Sequence, residues 1–213
     1  MIKLSAFRAV PDFAKGLVRD LRVRWALEEA GIPYETMLIG GDDQNSPAYR
    51  ALQPFGQVPA IDDDGFTLFE SGAIVMRIAE QSDVLMPSDP AARSRMTAWI
   101  FAALNTIEPH IQNLTLIDVF YPNEDWAKQR RPRALQLAQS RLDSLAAWLK
   151  DRDYLEDRFT AADLLMTTVL QIPRHCDLIA KMPVLDNYRL RCEARPAFKR
   201  ALAAHLADFE KAA

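Results

Sequence analysis

Over about the first eighty residues, apolar positions switch between alternate-residue runs and helical steps of three and four, a pattern that predicts an α/β unit. Met1 to Phe7 reads as a strand. A helix follows from Gly16 to Ala30, with Leu17, Leu21, Val23, Ala26, Leu27 and Ala30 on neighbouring faces. Gly31 suits the left-handed position that ends a helix, and Tyr34 to Ile39 gives a second strand. Ser46-Pro47 signals a short helix to about Leu52, with serine as cap and proline at the first position. Gln57 to Ile61 and Phe66 to Phe69 form two strands about Asp62-Asp63-Asp64-Gly65, where Asp-Gly favours a tight hairpin. Ser71 to Glu80 reads as a helix carrying Ile74, Val75 and Ile78.

From Gln81 to Pro90 the chain turns polar and proline-containing, which marks a domain boundary. Beyond it only helical periods occur: Ala91 to Phe120, Asp125 to Lys150, Thr160 to Ile179, Val184 to Ala194 and Ala197 to Phe209. Pro109 should kink the first of these, because it cannot donate to the helical ladder. Two domains are expected, 1–82 and an all-helical 91–213.

Bulk properties narrow the function classes. The 213 residues are 49% hydrophobic, enough for a core, and 26 basic against 29 acidic side chains leave a net charge of −3. That balance argues against a nucleic-acid or membrane surface. Cys176 and Cys192 are too few and too far apart for a disulfide framework or a cysteine-based zinc site. No signal-peptide core or membrane span is apparent, so a cytoplasmic protein is expected.

Candidate chemistry gathers between Gln53 and Ser71. Val58-Pro59 stands where a strand begins, and a cis bond there would turn the Val58 N–H and C=O outward to pair with an extended peptide. Alone, it reads equally as a proline at a loop-to-strand junction. Ser71 opens a helix whose free N–H groups and dipole favour a carboxylate, and Glu70 beside it can pair with an ammonium group. Alone, Ser71 is better read as an ordinary cap. Within a few residues of each other, the proline turn, the Asp-Gly hairpin and the Glu-Ser helix start make one concavity of ligand size.

Gln53-Pro54-Phe55-Gly56-Gln57-Val58-Pro59-Ala60-Ile61, followed by Phe69-Glu70-Ser71-Gly72-Ala73-Ile74, resembles the thioredoxin-like N-terminal domain of the cytosolic glutathione transferase family, bacterial type included. Arg22-Val23-Arg24-Trp25-Ala26-Leu27-Glu28-Glu29-Ala30-Gly31-Ile32-Pro33-Tyr34-Glu35 is similar to that family's first helix and second strand. Asp157-Arg158-Phe159-Thr160-Ala161-Ala162-Asp163 resembles its helix-capping segment, in which Thr160 caps and Asp163 reaches back.

The resemblance implies a thioredoxin-like domain followed by a helical one, glutathione as co-substrate without a metal, and a homodimer. Gln57 would face the glycyl carboxylate, Val58 and Pro59 the cysteinyl unit, and Glu70 and Ser71 the γ-glutamyl end, with Gln53 also in reach. The helical domain would wall a pocket for a small hydrophobic electrophile, with Trp99, Asn105, Asn113, Phe120 and Tyr121 as candidates that equally suit helix packing. The implied activity is conjugation to apolar electrophiles, or peroxide or disulfide reduction at the same site. A non-catalytic binding or regulatory protein is the alternative.

One departure bears on the chemistry. The family places a Tyr, Ser or Cys near the end of the first strand, but from Ala6 to Glu35 the only hydroxyl or thiol is Tyr34, in the second strand. Ser5 is the nearest candidate for the sulfur and is as readily buried filler; Arg8, Lys15 and Arg19, in or beside the loop from Phe7 to Gly16, are cations that can favour a thiolate. His110, His175 and His205 lack metal-ligand spacing, and no GxSxG, GK[ST] or GxGxxG motif occurs.

Overall fold

A computed structural model describes residues 1–210. It divides into two compact units: Met1–Met86 together with the C-terminal segment from Ala194, and Pro87–Glu193. The break at Pro87 falls inside the polar stretch that the sequence marks.

The first unit is built on four strands, β1 (Ile2–Phe7), β2 (Tyr34–Ile39), β3 (Ala60–Asp63) and β4 (Phe66–Phe69), in the order β2-β1-β3-β4. β1 runs parallel to β2 and antiparallel to β3, and β3 pairs antiparallel with β4. Parallel β1 and β2 need a crossover, supplied by α1 (Asp20–Ala30). This helix starts later than its periodicity predicts: Gly16 has φ +78°, outside helical backbone, and a 3-10 turn (Asp12–Ala14) precedes it. α1 is buried from Asp20 to Leu27, arginines included, and ends at Gly31 with φ +67°. Helices α2 (Pro47–Leu52) and α3 (Ser71–Ala79) complete the N-terminal part, and Ser46 caps α2 by accepting from Tyr49 N–H at 3.1 Å. At the hairpin, Asp64 and Gly65 both take positive φ, 51° and 93°, as a type I′ turn requires.

In the second unit α4 (Pro90–Phe101) is capped by Asp89, which accepts from Ala92 N–H at 2.7 Å. The run then passes through a π-helical stretch (Ala102–Ile107), α5 (Glu108–Thr115) and a second π-helical stretch (Leu116–Phe120). Pro109 thus sits directly after widened turns, which absorb the ladder bond it cannot donate. α6 (Asp125–Leu149) accommodates Pro132 within its length. α7 (Ala161–Gln171) is buried from Ala161 through Leu170, and α8 (Pro183–Glu193) follows a 3-10 turn (Ile172–Cys176).

At the start of α7, Thr160 Oγ1 accepts from Ala162 N–H, and Asp163 accepts from the N–H groups of Leu155 and Thr160, both at 2.9 Å, and from the Tyr188 hydroxyl at 3.0 Å. Asp163 is fully buried, and desolvation pushes its carboxyl above the usual range against those bonds.

The last helix, α9 (Pro196–Glu210), belongs to the first unit, although its position in the sequence placed it in the helical domain. It lies on α1: Phe198 meets the Trp25 ring edge-on at 4.8 Å, Asp208 takes a 2.7 Å bond from Arg24, and Arg195 pairs with Glu29 at 2.8 Å.

Candidate active site

Register brings the two halves of the motif together. Ala60 of β3 pairs with Phe69 of β4, so the next residues outward, Pro59 and Glu70, leave the ladder from the same end. Val58-Pro59 is cis and lies before β3, which begins later than the alternation suggested. Val58's own N–H and C=O have no hydrogen-bond partner among the described residues, and its side chain is buried with Ile39 and Tyr49. That unpaired amide unit can accept an added peptide strand.

Loop geometry around it is over-determined. Gly56 has φ +64°, and a Cβ there would lie 2.7 Å from the Gln44 carbonyl oxygen. Gln53 is buried and its Oε1 accepts from Phe55 N–H at 2.7 Å, so this side chain shapes the loop. Gln57 is exposed.

Glu70 is exposed and holds φ +71°, a backbone state costing about 1–3 kcal/mol for a residue with a Cβ. It makes no side-chain cap on α3. Ser71, 4% exposed, accepts from Arg22 Nη1 at 3.4 Å, which places a guanidinium beside the N-terminus of α3. Dipole and cation together favour a carboxylate there.

Ser5, the hydroxyl nearest in sequence to the expected sulfur position, is enclosed in the core. It is fully buried, its Oγ accepts from Ala60 N–H at 2.7 Å and lies 2.9 Å from Tyr49 Oη. Its neighbours in β1 also face the core, because both sides of this central strand are covered. Of the loop cations, Lys15 pairs with Asp12 at 2.7 Å and Arg8 approaches Asp43 at 3.9 Å. Lys15 holds the Asp12 carboxyl below its ordinary range by that hydrogen bond. Phe7 and Val18 pack on the cluster containing Val58, so the loop between them borders the site.

The sequence profile described as the N-terminal domain of glutathione S-transferase matches residues 21–81. A glutathione S-transferase of Hyoscyamus muticus is 30% identical over 203 residues, which cover 85% of this chain and 92% of that one. The chain belongs to the glutathione transferase family. Two solved glutathione transferase-family structures share the fold at 26% identity. One, from Pseudomonas putida with one glutathione disulfide per subunit, has a TM-score of 0.80 over 94% of this chain and 90% of its own. The other, from Pseudomonas fluorescens with two glutathione bound, has a TM-score of 0.82 over 94% and 92%.

In this family member's second unit, Asn113 and Phe120 line a cleft of about 260 Å³ with Gln112, Thr115 and Leu116. Trp99 is otherwise engaged, donating to Glu156 at 3.1 Å and stacking near Trp148 at 5.2 Å. Asn105 is exposed, and Tyr121 stacks near Trp126 at 5.2 Å. Spacing missed one cluster: ligand-type atoms of Asp118, His175 and Cys176 lie within 4.8 Å of one another. Adjacent His175-Cys176 was visible, but its partner lies far back in the chain. Arg131 already engages both Asp118 oxygens, at 2.7 and 3.0 Å, and burial pushes the Cys176 thiol up. No helix among the described residues is long and apolar enough to cross a membrane.

Proposed function

We propose that this protein binds glutathione in the first unit and conjugates its sulfur to an apolar electrophile. The observation that carries the reading is the shared exit of Val58-Pro59 and Glu70-Ser71 from the β3–β4 ladder, with Val58's amide groups unpaired and the N-terminus of α3 uncapped by any side chain. Val58 supplies the strand-like pairing for the cysteinyl unit. Glu70 binds the ammonium group, while Ser71 and the N-terminus of α3 bind the carboxylate of the γ-glutamyl end. Gln57, exposed beside the loop, faces the glycyl carboxylate.

The thiol needs help to ionise near neutral pH, since an unperturbed thiol has a pKa of about 8.5. With Ser5 enclosed, that help comes from the loop between Phe7 and Gly16. Ala9 and Val10 N–H groups there have no hydrogen-bond partner among the described residues, and Arg8 and Lys15 add positive charge. We infer that the assembly is a homodimer.

A second reading has support of its own: the Pseudomonas putida relative holds glutathione disulfide and the Pseudomonas fluorescens relative two glutathiones. Reduction of a glutathione-containing disulfide would use the same γ-glutamyl and cysteinyl contacts.

Retention on immobilised glutathione, followed by turnover assays with a chlorinated aromatic, a hydroperoxide and a mixed glutathione disulfide, tests both. Conjugation as the dominant activity supports the first reading and disulfide reduction the second. Equal retention by Glu70→Ala/Ser71→Ala sinks the site, and retention without turnover makes the chain a binding module.

A further inference from the structure

The two backbone groups that flank Val58-Pro59 end on one buried pair of hydroxyls. On the near side, Gln57 C=O accepts from Tyr49 Oη at 2.6 Å. On the far side, Ala60 N–H donates to Ser5 Oγ at 2.7 Å. Ser5 Oγ and Tyr49 Oη lie 2.9 Å apart.

The direction of every bond in this chain is fixed by its ends. A carbonyl can only accept, so the Tyr49 proton points to Gln57. Ser5 must then supply the proton between the hydroxyls, and its own lone pair takes Ala60 N–H. The result is a one-way relay, Ala60 N–H to Ser5, Ser5 to Tyr49, Tyr49 to Gln57, in which each bond polarises the next. Ser5 is fully buried and Tyr49 is 4% exposed, so water does not compete for either oxygen. Burial also pushes the Tyr49 phenol up, which keeps it a donor.

We propose that Ser5 and Tyr49 are positioning residues that clamp the Val58-Pro59 turn from both sides and so present the Val58 amide unit to the peptide backbone of glutathione. This inference rests on the glutathione reading of the site. It also explains why a serine occupies a core position of β1 where an apolar residue would pack as well: the hydroxyl replaces the ladder bond that β1 would otherwise have to offer Ala60. Tyr49 reaches the relay from α2 while its ring packs with Ile39 and Val58 in the same cluster. Neither residue touches the sulfur, so the relay assigns Ser5 a role other than thiolate stabilisation.

Glutathione binding to the full chain is measured by calorimetry for the wild type, Tyr49→Phe, Ser5→Ala and the double variant, alongside the ultraviolet titration of the bound thiol and KM for each substrate. Tyr49→Phe keeps the ring that packs in the cluster and removes only the donor. Each single variant is expected to raise the Kd for glutathione roughly tenfold, the equivalent of ~1.4 kcal/mol, a typical loss when a buried acceptor or donor loses its partner. The double variant is expected to be no worse than the weaker-binding single one, since breaking either link breaks the relay. KM for glutathione rises while KM for the electrophile holds, and the bound-thiol pKa stays where it is in the wild type.

An unchanged Kd in Tyr49→Phe, or losses that add in the double variant, overturns the relay. So does a bound-thiol pKa that rises in Ser5→Ala but not in Tyr49→Phe, which would make Ser5 the sulfur's partner. Absence of glutathione binding by the wild type overturns the glutathione reading instead.

Discussion

The backbone from Gln53 to Ala60 and the backbone from Phe7 to Asp20 border the same cluster, yet they are fastened in different ways. The first is held along its length by short bonds to side chains: Gln53 to Phe55 N–H, Tyr49 to Gln57 C=O and Ser5 to Ala60 N–H. The second is held mainly at its ends. At one end Arg8 N–H donates to Ile39 C=O at 2.8 Å; at the other Gly16 N–H donates to His205 Nε2 at 3.2 Å, and Asp20 joins a buried network. Between them lie a 3-10 turn and an exposed ion pair, with Phe13 engaged as well. A segment that must offer a fixed backbone to a peptide gains from rigid support, because a preorganised site loses less entropy on binding. Next to a reactive sulfur, a looser segment leaves its N–H groups free to turn toward charge.

The buried network tests this contrast most severely. Gly16 N–H donates to His205 Nε2, so the proton of that ring sits on Nδ1 and is donated to Asp20 at 3.0 Å. Arg24, 1% exposed, bridges two carboxylates, donating to Asp20 at 2.8 Å and to Asp208 at 2.7 Å. Replacing Arg24 by Met leaves both carboxylates buried without it, at a cost of about 3–5 kcal/mol. Chemical denaturation should show that loss in the midpoint, and the folded fraction should still bind glutathione with wild-type affinity. Weakened binding per folded molecule would show that the two segments are not fastened independently.

What the sequence revealed follows the same division. Proline turn, Asp-Gly hairpin and Glu-Ser helix start are local features whose spacing survives in any fold that forms them, so the sequence alone puts Gln57, Val58, Pro59, Glu70 and Ser71 forward as candidates. The relay was hidden because Ser5 and Tyr49 meet across 44 residues, and nothing local distinguishes a serine that fastens a loop from one that faces a ligand. The placement of α9 was hidden for the same reason: Asp208 and His205 look like ordinary helix positions until Arg24 and Asp20 are beside them. The late start of α1 escapes the periodicity because Leu17 and Leu21 fit a helical period while Gly16, at φ +78°, opens the chain instead.

Glu70 gives a smaller effect that separates holding a ligand from holding the fold. Its φ of +71° is strained for any residue with a Cβ, and the exposed side chain contributes no cap to α3. Glu70→Gly should relieve that strain and stabilise the protein by about 1 kcal/mol while removing the carboxylate proposed to pair with the ligand's ammonium group. A melting temperature that rises as glutathione retention falls would mark the site as one where stability is given up for binding. Glu70→Ala, which keeps the Cβ, should lose retention without the gain. If Glu70→Gly lost both stability and binding, the positive φ would have to be serving the fold.

The smallest effect belongs to the looser segment. Arg8 and Lys15 are both substantially exposed and both have a carboxylate nearby, so water and that carboxylate screen whatever they contribute to a neighbouring sulfur. Exposed charges of this kind are worth about 0.2–1 kcal/mol, so either alanine variant should raise the pKa of the bound thiol by only a few tenths of a unit. The sign follows from the charge: a cation favours the thiolate, and removing it moves ionisation to higher pH. Rate against pH should therefore shift slightly upward in Arg8→Ala and Lys15→Ala, and the shift should shrink in high salt, where the wild type already lacks much of the benefit. A shift that persists undiminished in salt would assign the thiolate to the loop's backbone N–H groups, rearranged by the mutation, because fixed dipoles at hydrogen-bond distance are screened far less than a charge on a solvated side chain.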